Sequence, residues 1–331
     1  MVGRLTPSSE RGDVLAAGAV VLTTFTLLFA IRFADSWAAG PRLLVVGAVA
    51  MLIGTLAFLA PMEGGVSRPY QSVLYVADFV LTLLTLVELA DVFGADNGLS
   101  ASGTIVWVGL LLIGLAAFYA TSRRAPIMTL FAAATGVVVV NAFFDWVADP
   151  SVQTHRWLLL LCAIALALGA VALRDLRRRD AVSLVDVAGL SIAAIGISLV
   201  LVQIFGAALR TSTLGFFGPE AHGGPAGWEF VLLITGFGLI AYGAIDRERV
   251  PAFVGVVVLG LFVAVSSIGS EASLLWWPIL LLLAGGALLA AGLRPRQAQP
   301  PEPPVPPTPP APPTEPTAVA GAHDAEGGGS A

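Results

Sequence analysis

The chain has no lysine, so all 17 of its basic residues are arginine. Together with its richness in Ala, Gly, Val and Leu, this reads as a nucleotide-composition bias of the genome, not as function. The single cysteine, Cys162, excludes an internal disulfide and a thiolate metal site. Charge is scarce: 12% of the 331 residues are charged, where a soluble domain carries about a quarter. A net charge of −5, without helix-turn-helix or zinc spacing, argues against nucleic acid as a partner. Walker loops, the dinucleotide fingerprint, HExxH and Ser-His-Asp arrangements are missing as well. The sequence therefore predicts neither an enzyme nor a cofactor, and its short connections leave little room for polar clusters.

What is present is apolar. The composition is 57% hydrophobic, with a mean hydropathy of +0.88. Apolar runs separated by polar or Gly/Pro breaks predict ten membrane spans: Val14–Ile31, Leu43–Ala60, Ser72–Phe93, Thr104–Ala120, Ile127–Val147, Trp157–Leu173, Leu184–Leu209, Trp228–Ile245, Ala252–Ile268 and Leu274–Leu293. Each has the length a helix needs to cross ~30 Å of hydrocarbon. The first run is longer than the core of a cleavable signal peptide and is read as an uncleaved helix. The expected fold is an all-α integral membrane protein. A cytoplasmic segment (1–13) precedes a ten-helix transmembrane bundle (14–296) and a disordered, Pro-rich cytoplasmic tail (297–331).

Arginine placement sets an orientation. With the N-terminus in the cytoplasm, 13 arginines fall inside, among them Arg123, Arg124, Arg174, Arg177, Arg178, Arg179, Arg247 and Arg249. Only Arg32, Arg42, Arg156 and Arg210 fall outside. That asymmetry is the positive-inside pattern of a plasma-membrane protein with both termini cytoplasmic. Trp107, Trp146, Trp157, Trp228, Trp276 and Trp277 fall near the outer ends, as an aromatic belt does.

The tail begins "PPEPPVPPTPPAPPTEP", a Pro-Pro-X pattern with a period of three. Proline fixes φ and lacks the amide hydrogen, so this stretch is expected to form a polyproline II rod of roughly 50 Å. It suits either a proline-recognising cytoplasmic partner or a solvated spacer.

Spans three to six look like an earlier copy of spans seven to ten. Trp157 and Arg174 of span six recur as Trp277 and Arg294 of span ten. "VFGA" at Val92 recurs as "IFGA" at Ile204, and Pro126 corresponds to Pro251. Four helices per unit make the copies parallel, a four-plus-four repeat preceded by a two-helix hairpin. In layout, ten spans with both ends inside resemble the drug/metabolite transporter superfamily. That superfamily carries five-plus-five inverted repeats, and none of its sequence motifs occurs here, so the resemblance transfers no residue role.

Polar residues inside the spans are the functional candidates. Span three carries Asp78, Thr82 and Thr85 at i, i+4 and i+7, one helical face, with Glu88 close to that face toward the outer end. A charged side chain near a helix centre costs roughly 2.5–3.5 kcal/mol on insertion scales. The stripe is therefore expected to face protein, making span three central. In span five, Asn141 and Asp145 lie one turn apart near the outer end. Asp186 opens span seven on the inner side, and Asp91 and Glu229 sit at outer boundaries. Two readings stand for Asp78, Glu88 and Asp145. They form a polar pathway for a cation or proton, as in a small-molecule, ion or lipid permease, or they are hydrogen-bonded to neighbouring helices. A non-transporting scaffold that recruits partners through its tail is the alternative function. The outer-loop residues Asp149, His155, Glu220 and His222 lack metal-site spacing.

The orientation is directly measurable. Reporter fusions after Ala125 or Arg296 should read cytoplasmic, and fusions after Ser100 or Gly218 should read external. Reversal of any one would mean a miscounted span.

Overall fold

Proline, which has no amide hydrogen to give, is free of cost only in a helix's first turn, where that hydrogen would go unused. The chain obeys this closely. Pro69 opens α3, Pro126 opens α5, and Pro41 and Pro251 stand in the first turns of α2 and α9. The computed structural model describes residues 12–34, 36–61, 69–95, 99–211 and 226–268. Nine helices are found among them: α1 Gly12–Arg32, α2 Ala39–Leu59, α3 Pro69–Val92, α4 Ser102–Ser122, α5 Pro126–Ala148, α6 Val152–Leu173, α7 Arg178–Thr211, α8 Ala226–Asp246 and α9 Arg249–Ile268. All are long and apolar enough to cross a bilayer, and no strand occurs among the described residues. This is compatible with a multi-pass membrane protein. The first nine expected spans coincide with these helices. The tenth span, the Gly/Pro-rich loop before α8 and the tail lie outside the described residues. So does the whole of the second compact unit, Leu280–Ala331.

The turns are tight and chemically marked. Ser151 caps α6 by accepting the Thr154 amide at 3.3 Å. Asp149 ends α5 in the left-handed region at φ 43°, and Arg124 and Arg247 take the same conformation after α4 and α8, at φ 49° and 58°. Such single left-handed residues close helices while releasing the last carbonyls to the turn.

Two helices are central. Half of the membrane-crossing window is buried in α3 and in α7, against 17% in α1, α5 and α6. α3 packs on α1, α2, α4 and α5; α7 packs on α5, α6, α8 and α9. The closest-packed partners are α2 with α3, α4 with α5, α6 with α7, and α8 with α9. α5 touches both pillars and so joins the two sides of the bundle. Hydroxyls inside the apolar helices are satisfied locally. Thr26, Thr55, Thr85, Ser191 and Ser267 each donate to the carbonyl four residues back.

Side-chain ties fix which ends meet. Arg174 and Arg178 reach Asp246, Thr129 bonds Asp180, and Ser183 bonds the Pro126 carbonyl. The turns after α4, α6 and α8 therefore share one face, the arginine-rich one. On the opposite face Arg42 reaches Asp91, and Trp157 packs against Trp228 with ring centroids 5.0 Å apart. Trp228 is 3% exposed, so it packs within the bundle and is no anchor on the protein's surface.

α8 and α9 approach backbone to backbone. A methyl added at Gly255 would lie 2.7 Å from the Gly236 carbonyl oxygen, an atom that no rotamer can move. Gly255→Ala should therefore destabilise the protein by about 1–3 kcal/mol. Gly114→Ala, with open space around it, should be neutral or stabilising by up to about 1 kcal/mol through helix propensity. Thermal unfolding of the purified variants checks the pair.

Candidate functional site

α4 and α7 both lean on α5 but make no close packing with each other. The cleft this leaves is a cavity of about 530 Å³, walled by α4, α5, α6 and α7. Along α5 it runs from Ala134 to Asp145, and along α7 from Val187 to Ala194. It thus extends from mid-helix to the face opposite the arginine-rich one. Its walls are mostly aliphatic, and most of its polar groups, Ser102, Asn141, Asp145 and His155, gather toward that face.

Asp145 sits at that face. Its Oδ2 accepts a hydrogen bond from the Ser102 hydroxyl, and its Oδ1 lies 3.8 Å from His155 Nε2. The Asp145 side chain is 44% exposed, so the carboxylate is open to an incoming group. His155 Nδ1 is 3.3 Å from the Ser151 carbonyl oxygen, which holds the ring against the start of its own helix. One turn deeper, Asn141 donates from Nδ2 to the Val137 carbonyl at 2.9 Å. Its Oδ1 is buried and has no partner among the described residues. Ser191 lines the α7 wall but spends its hydroxyl on Val187 of its own helix.

The α3 candidates lie elsewhere. Asp78 is 4% exposed and accepts from the Tyr119 hydroxyl at 2.9 Å. It fits because α2 has Gly54 opposite, where an added methyl would come within 2.7 Å of Asp78 Oδ1. Tyr75 packs on Tyr119 with centroids 4.8 Å apart and walls off the pair. Glu88, also 4% exposed, faces the Arg42 guanidinium at 3.2 Å, and the same guanidinium lies 3.4 Å from Asp91 and donates to the Ala34 carbonyl. Thr85 bonds its own helix and turns its methyl toward Gly47 of α2. Thr82 is half-buried one turn beyond Asp78.

Asn141 and Asp145 therefore come together in one cavity, and Asp78, Thr85 and Glu88 come together on the α2-facing side of α3. The two groups do not meet: neither Asp78 nor Glu88 lines the cavity. Asp186 is 4% exposed with Oδ1 unpartnered among the described residues, deeper than a headgroup position. Arg156, 8% exposed, binds Ser198 and Gln153 and meets no carboxylate at ion-pair distance among the described residues. No described group of three or more His, Cys, Asp or Glu could hold a metal ion.

Arg42, Tyr119, Ser102 and His155 carry the site geometry and were not candidates in the sequence. A signal for Arg42 existed: it opens the helix that is antiparallel to α3, at the depth of Glu88 and Asp91. Ser102 and His155 are likewise the first-turn residues of the helices flanking Asp145. No family model matches the chain, and no curated protein or solved structure matches it either.

Removing one member of the Arg42–Glu88 pair leaves a buried charge alone. Arg42→Met should cost about 3–5 kcal/mol, and adding Glu88→Met should recover most of it. Unfolding of the single and double variants measures this, and equal stability of the two would show that the pair is uncoupled.

Proposed function

We propose that the protein is a plasma-membrane permease, with both termini cytoplasmic, that admits a small molecule from the outer side into the α4–α7 cavity. The cavity carries the reading. It lies among membrane-crossing helices, has the volume of a small-molecule site, and places a few convergent polar groups in an otherwise aliphatic wall. Asn141 and Asp145 are assigned to binding. Asp78, walled off with Tyr119 and outside the cavity, is assigned to holding α4 on α3. Glu88 and Thr85 are assigned to holding α2 on α3.

A four-helix repeat supports the same reading, because transporter folds are commonly built from internal repeats. The packing of α2 on α3, α4 on α5 and α1 on α3 recurs four helices later as α6 on α7, α8 on α9 and α5 on α7. Tyr119 and Tyr242 each precede a left-handed arginine by five residues, Arg124 and Arg247. Arg42 and Arg156 are both buried near the starts of α2 and α6.

Reconstituted proteoliposomes test the function. The full chain should give saturable uptake of a solute from a panel of small polar and amphiphilic molecules. Asp145→Asn should lower that uptake about tenfold or more with the elution profile unchanged. Uptake no faster than in empty vesicles, or equal uptake by the variant, would reject the permease in favour of a protein that moves nothing.

A further inference from the structure

The donors around the cavity are already used. Ser102 gives its hydroxyl hydrogen to Asp145, and Ser191 gives its own to the Val187 carbonyl. Asn141 is fixed in orientation, since only its nitrogen can donate to the Val137 carbonyl. Its oxygen therefore points away from that bond, buried and without a donor among the described residues. His155 turns Nδ1 to the Ser151 carbonyl and Nε2 toward Asp145, so both ring nitrogens are already directed at acceptors. What remains for a ligand is chiefly a pair of acceptors, the Asp145 carboxylate and the Asn141 carbonyl oxygen. Beyond them the walls are hydrocarbon, including Val138, Leu159, Leu190 and Ala194.

We infer that the cavity binds a small amphiphilic amine, its ammonium group between Asp145 and Asn141 and its hydrocarbon body along α7. An ammonium supplies three donors and a positive charge to groups that need both, whereas a carboxylate would face the Asp145 charge and find few donors. An alcohol of the same shape has one donor and no charge. The spacing of Asn141 and Asp145, one helical turn, lets one ammonium address both side chains. This names the substrate class of the permease reading and rests on it for whatever follows binding.

The test uses the full chain in phosphatidylcholine nanodiscs with radiolabelled 3-phenylpropylammonium as probe, empty nanodiscs giving the bilayer background. Saturable binding is expected, displaced by the unlabelled ammonium and far less by 3-phenylpropionate or 3-phenylpropanol. Asp145→Asn should weaken it about tenfold or more, the scale of a lost charge-assisted hydrogen bond. Ala194→Leu, which fills the apolar wall without touching the polar end, should also weaken it, and lipid-facing Val263→Ala should not. Displacement by the propionate as strong as by the ammonium, unchanged binding by Asp145→Asn, or no saturable component would overturn the inference. Saturable amine binding without amine uptake into proteoliposomes would keep this site and remove the permease. Saturable uptake of another solute without amine binding would do the reverse.

Discussion

Hydrocarbon supplies no water to complete a polar group's hydrogen bonds, so every polar side chain inside an apolar bundle must be completed by its own helix or a neighbour. The described helices solve this in three ways. Hydroxyls turn back onto their own helix, as Thr85 and Ser191 do. Charges are paired across a hairpin, as Arg42 is with Glu88 and Asp91. Asp78 takes a phenol from the adjacent α4. The last two solutions are also what holds α2, α3 and α4 in register, because each needs its partner helix at one depth and one rotation.

The second pillar is finished differently. α7 has small residues where α3 has bulk, and Gly189 and Gly196 admit side chains of α8 and α9 to close range. Asp186 has an oxygen without a partner among the described residues, and Arg156 has a serine where Arg42 has a carboxylate. Within the helices, charge pairing lies on the α3 side of α5 and close aliphatic packing on the α7 side, where the ties of Arg174 and Arg178 to Asp246 stand at the helix ends. The cavity opens between these two sides, where α5 spans the distance between them.

The placement of the nine described helices was legible because lipid-length apolar runs and first-turn prolines are local signals. The central position of α3 was legible too, since Asp78 and Glu88 on one segment leave that helix little choice. What stayed hidden was pairing across helices. Arg42 reads in sequence as a loop arginine, and only the antiparallel return of α3 brings Glu88 to it. Asn141 and Asp145 stood out as polar residues among valines and phenylalanines, but nothing local separates them from Asp78. Their division into two places depends on which helices α5 and α3 face. Tyr119 gave no signal, since a tyrosine near a helix end is ordinarily an interface residue.

α7 is 34 residues long, about 50 Å of helix, whereas the hydrocarbon layer is roughly 30 Å thick. To fit wholly within that layer it would have to lean at about 50°, past the ~40° limit seen for membrane helices. In a bilayer, part of it would therefore stand in the headgroups, at an inclination set by its packing on α5, α6, α8 and α9. The wall from Val187 to Ala194 belongs to that same rod. Any change in that inclination would carry this wall with it and so alter the width of the cleft beside α5.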